Sequence, residues 1–124
     1  MRYCRVRGCR VYAELDTLVA DSEMSAAADF VRSACEAGVD AVIVQDWGFL
    51  AAAKAVAPLL RAFAGERLGI HTAAGPAAAA QLGAARVIPP WELPREAIPT
   101  PPRPTRAASR ATARAAVRSH CAGA

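Results

Sequence analysis

Apolar residues along the chain recur with two different spacings. Val42-Ile43-Val44 is an unbroken apolar run that stops at Gln45-Asp46, the pattern of a parallel strand buried on both faces until it emerges at its carboxyl end. Upstream, Val11 to Leu15 is a short β-rich run, and Asp21-Ser22-Glu23 then supplies capping residues and a negative first turn. The spacing predicts a helix over 23–37, with Ala27, Phe30, Val31, Ala34 and Cys35 on its inner face and Gly38 at its C′ position. Gly38-Val39-Asp40 turns the chain into the strand 41–45. A second helix is expected over 49–63 from Leu50, Ala53, Ala57, Leu60 and Phe63, kinked or ended early by Pro58. A third strand is read at Leu68-Gly69-Ile70-His71. A short helix opening at Pro76 and closing at Gly83 follows, then a fourth strand at Arg86-Val87-Ile88.

Strand and helix alternating at this pitch are βαβ units, and right-handed crossovers lay such strands side by side and parallel. The pattern therefore predicts four parallel strands and three helices. Polar residues follow each strand: Asp16-Thr17, Gln45-Asp46, His71-Thr72 and Trp91-Glu92. They should share one rim, where α/β proteins keep their chemistry.

Composition limits the size of the core and splits the charge. With 124 residues, 54% hydrophobic and 6% aromatic, the chain can bury one modest core of Ala, Val, Leu and Ile. Residues 1–98 carry 10 basic and 11 acidic side chains, a net of −1; residues 99–124 carry five arginines and no acid, completing the net +4. Seven of the nine prolines lie between Pro89 and Pro104. The expected organisation is a folded part over 1–98 and a Pro/Ala/Arg-rich, basic, disordered tail over 99–124. The tail's Ala/Arg/Pro bias suggests translation out of frame. Cys4, Cys9, Cys35 and Cys121 form no disulfide or zinc pattern, and Cys35 reads as a small inner-face hydrophobe, so a reducing, cytoplasmic setting is expected. No apolar run reaches the roughly 18 residues that span a bilayer, so no membrane partner is expected.

Among the rim residues, His71 is the candidate general base, since imidazole titrates near neutrality. Glu92 and Asp46 are candidates for a carboxylate pair or for divalent-cation ligands, although Asp46 also stands where it would cap the following helix. Thr17, Gln45 and Trp91 are candidate substrate contacts, with Trp91 offering an aromatic wall alongside Trp47. No set of metal ligands is assigned and no cofactor is named. His-Glu-x-x-His and Gly-x-Ser-x-Gly arrangements are both absent from the sequence.

Three blocks carry a resemblance: Arg10 to Val19, Glu36 to Gly48, and Leu82 to Ile88. In order and spacing they resemble consecutive blocks of the U32 collagenase-like peptidases, with Gln45-Asp46-Trp47-Gly48 the most selective match. The resemblance covers about residues 2–98. It implies a partial (β/α)8 TIM-type barrel, a peptide or protein substrate, and carry-over of Thr17, Gln45, Asp46, His71 and Glu92. Asp16 stands where the family tends to have Asn, and Trp91 replaces an Arg. The family's His-Ala-Ser-Thr-Gln rim segment is matched with His71-Thr72-Ala73-Ala74-Gly75. The remaining family blocks have no counterpart, so the chain reads as a truncated, weakly active or inactive fragment whose exposed strand edges favour self-association. The alternative is the branch whose iron–sulfur members hydroxylate RNA or a quinone precursor, to whose cluster positions the four cysteines do not correspond, or nucleic-acid binding through the arginine tail. Nucleic acid is the less expected partner.

Overall fold

The computed structural model describes residues 2–94 and Glu96; the expectations for residues 99–124, Cys121 included, lie outside the described residues. A short helix α1 (Arg2–Val6) precedes the first strand, β1 (Tyr12–Leu15). Then follow α2 (Met24–Glu36), β2 (Ala41–Val44), α3 (Trp47–Val56), β3 (Arg61–Ala64), α4 (Ala74–Gln81) and β4 (Ala84–Val87). The four strands are parallel and form one sheet in the order β1-β2-β3-β4.

Strand order that follows chain order fixes where the helices go. Crossovers of one hand between successive neighbours put every helix on the same side, whereas a doubly wound sheet reverses its order midway and carries helices on both sides. The sheet therefore has the arrangement of a partial (β/α)8 barrel, as the resemblance implies. Its core lies between sheet and helices. Ala27, Val31 and Ala34 of α2, Phe49, Leu50 and Ala53 of α3, and Ala79 of α4 pack on Val42, Val44, Ala62 and Ala64. Because strand side chains alternate, the other side of the sheet carries Tyr12, Glu14, Ala41, Ile43, Arg61, Phe63 and Arg86. There Tyr12 meets Phe63 edge-on at 5.4 Å, and the Arg86 guanidinium lies 4.8 Å from the same ring.

Asp40 joins the two strand entries. Its carboxylate accepts from the Val11 amide at 2.8 Å while its own amide donates to the Val11 carbonyl at 2.8 Å, so the Gly38-Val39-Asp40 turn sets the β1–β2 register. Helix α2 ends at Gly38, as expected, but its buried stripe is narrower than predicted. Ala27, Val31 and Ala34 are buried, while Phe30 is 38% exposed and Cys35 is an exposed free thiol. Both flank the stripe, where helical rotation turns them away from the sheet.

The third strand is not where the apolar spacing placed it. Pro58 ends the helix early: α3 stops at Val56, and after the turn Arg61–Ala64 runs extended as β3. Leu60, Ala62 and Ala64 are buried on one side and Phe63 on the other, a two-residue period that coincided with helical spacing through Ala57, Leu60 and Phe63. The segment read as a strand, Leu68 to His71, is not one: Leu68 ends a 3-10 turn, Glu66–Leu68, and Gly69 follows with φ of 65°. A left-handed residue cannot continue a strand.

Candidate functional site

The carboxyl ends of the strands are tied together by Gln45. This side chain is 2% exposed; its Nε2 donates to the Glu14 carboxylate at 2.9 Å and its Oε1 accepts from the Arg67 amide at 3.0 Å. One carboxamide thus spans from β1 to the turn after β3. A buried amide that kept neither partner would cost about 1–3 kcal/mol. The bridge requires glycine at position 65, because a Cβ there would lie 2.2 Å from the Gln45 Oε1. On the surface, Arg67 Nε meets the Asp16 carboxylate at 3.1 Å, a second link between the ends of β1 and β3.

Beside this bridge opens a cleft of about 340 Å³ lined by Glu66, Arg67, His71, Pro90, Trp91 and Glu92. The residues come from two segments, the turn after β3 and the turn after β4. Leu93 donates its amide to the Pro90 carbonyl at 3.2 Å, which sets Trp91 and Glu92 at the middle of a turn. Trp47 ties the start of α3 to the turn after β3, its indole N–H donating to the Leu68 carbonyl at 3.3 Å. His71 Nδ1 lies 2.8 Å from the Gly69 carbonyl. A carbonyl only accepts, so Nδ1 holds the proton and Nε2 offers its lone pair when the ring is neutral.

Of the residues expected from the sequence, His71, Trp91 and Glu92 meet in this cleft. Asp46 does not line it: its Oδ1 accepts from the Phe49 amide at 2.7 Å, the N-cap of α3. Gln45 lies beneath the rim with both ends of its carboxamide engaged. Thr17 lines a separate hollow of about 240 Å³ with Leu15, Val19 and Phe30, beside α2. Its hydroxyl donates to the Leu18 carbonyl at 3.0 Å. Glu66 and Arg67 escaped the sequence reading because they were placed outside the rim; the signal for them was the three-residue apolar run Ala62-Phe63-Ala64 after Pro58, ended by Gly65.

Residues 1–103 match the sequence profile of Peptidase family U32. The chain belongs to that family. No curated protein and no solved structure matches it. In this U32 chain the third strand ends at Ala64 and is followed at the rim by Gly65-Glu66-Arg67. His71 enters the cleft from the loop beyond the 3-10 turn. The described cysteines do not suit an iron–sulfur cluster: Cys4 and Cys9 precede β1, and Cys35 is on the exposed side of α2. Among the described residues no three His, Cys, Asp or Glu side chains gather to hold a metal ion. Among those residues, too, no helix is long and apolar enough to cross a membrane.

Proposed function

We propose that this U32 chain hydrolyses peptide bonds in the cleft between the turns after β3 and β4. The observation that carries the reading is the meeting of His71, Arg67, Glu66, Glu92 and Trp91 in one cleft at the carboxyl ends of parallel strands. His71, with its Nδ1 proton given to Gly69, takes a proton from water at Nε2 as the water oxygen bonds to the peptide carbonyl carbon. Arg67 offers guanidinium N–H groups to the oxygen that becomes negative. The C–N bond then breaks, and the imidazolium returns its proton to the departing amine. Glu92 stabilises the imidazolium during that interval, and Trp91 supports the substrate.

Purified protein incubated with a fluorogenic peptide is expected to cleave it, with rates about 100-fold lower for His71→Ala and reduced for Glu92→Ala. Cleavage unchanged in both variants removes the proposal. RNA binding that weakens with salt, without cleavage, is the outcome expected of the nucleic-acid alternative. The free thiols of Cys4, Cys9 and Cys35 support a cytoplasmic setting. The open arrangement of the sheet, with β1 and β4 as its outer strands, supports self-association through those edges; sedimentation as a compact monomer would count against it.

A further inference from the structure

The rim cleft is unbalanced in its hydrogen-bonding groups. Glu66 and Glu92 present carboxylates, His71 presents Nε2, and Trp91, 83% exposed, presents the face of an indole. Each of these accepts a proton or attracts positive charge. Among the described residues that line the cleft one side chain is cationic, Arg67, and its Nε meets the Asp16 carboxylate at 3.1 Å. The two carboxylates arrive from separate segments, Glu66 on the turn after β3 and Glu92 on the turn after β4. Each is held by backbone geometry: Gly69 donates to the Glu66 carbonyl at 3.2 Å, and Leu93 closes the turn that carries Trp91 and Glu92. The surplus of acceptors around an aromatic face is therefore built into the fold.

We infer that this cleft recognises a primary ammonium group of a peptide, with the cation over Trp91 and its N–H donors on Glu66 and Glu92. The inference rests on the reading of the cleft as the substrate site and names what that substrate must carry. An ammonium supplies three donors and no acceptor, which complements the lining. A carboxylate would face two like charges, and Arg67 already meets one carboxylate, that of Asp16, through its Nε. The group has two possible sources, a lysine side chain or a free chain N-terminus.

Both sources are tested by titrating the full chain with four capped tripeptides, followed by calorimetry at low salt. Acetyl-Ala-Lys-Ala-amide carries only a side-chain ammonium, and Ala-Ala-Ala-amide only an N-terminal one. Acetyl-Ala-Ala-Ala-amide is neutral, and acetyl-Ala-Glu-Ala-amide is anionic. At least one ammonium peptide is expected to bind about tenfold more tightly than the neutral one, and the stronger of the two identifies the source. That preference should fall away in Glu66→Gln/Glu92→Gln and persist in Arg67→Gln. Raising the salt concentration should weaken it in the unaltered chain, a readout that needs no variant to fold. Equal binding of the neutral or anionic peptide, or a preference that survives loss of both carboxylates, overturns the inference. Because binding is measured without turnover, selective binding with no cleavage removes the hydrolytic reading alone. Cleavage that is indifferent to ammonium removes only the present one.

Discussion

The two sides of the sheet solve different problems with the same strands. Toward the helices, Val42, Val44, Ala62 and Ala64 are at most 2% exposed and belong to one apolar cluster. On the opposite side Tyr12 is 37% exposed, Arg86 lies over Phe63, and Gln45 bridges to Glu14. The first side contributes stability through area removed from water. The second contributes geometry, because its contacts are directional and converge on the rim. A change on the helix side should cost free energy wherever it falls; a change on the other side should cost most where it disturbs the bridge at Gln45.

The largest effect is expected from Phe49→Ala, which empties the centre of the helix-facing layer and should lower unfolding free energy by about 4 kcal/mol, read from the urea midpoint. Gly65→Ala is expected next, at about 2 kcal/mol. The backbone at Gly65 is ordinary extended chain, φ −77° and ψ 170°, so the cost arises from collision with the Gln45 carboxamide. Combining it with Gln45→Ala should therefore cost less than the two single changes summed; strict additivity would show that the bridge is not what excludes a side chain there. Asp46→Ala should cost about 1 kcal/mol through loss of the α3 cap, with peptide cleavage retained. Smallest in stability is Asp16→Asn, within about 0.5 kcal/mol because the pair with Arg67 is exposed. A larger loss there would mean that the rim contributes to the fold as well as to the site.

The parts of this architecture that were legible in the sequence are those where one signal acted alone. The run Val42 to Val44 has no helical reading, so β2 and its partners in a parallel sheet followed directly, and Asp46 stood in the only place from which it could cap α3. Leu60 and Phe63 were ambiguous because a strand flanked by a helix can continue that helix's three-residue rhythm by coincidence. Pro58 was the deciding residue and was read too weakly. His71 reached the site for a reason other than the one expected: it is carried on the loop after the 3-10 turn. Gln45 could be placed at a strand end from the sequence, but its contact with the Arg67 amide depends on a glycine 20 positions later, and such a pairing has no local signature.

The order of the strands also bears on how the chain acquires its shape. Each strand pairs with the one that follows it, Tyr12 with Ala41, Ala41 with Arg61, and Ala62 with Ala84. Every pairing closes a loop of one βα unit, and loop-closure entropy at that length is modest. No strand waits for a distant partner, so each unit can dock on its predecessor as it emerges during synthesis. The Asp40 clasp on Val11 then sets the first register before the cleft residues, Glu66 to Glu92, have been made.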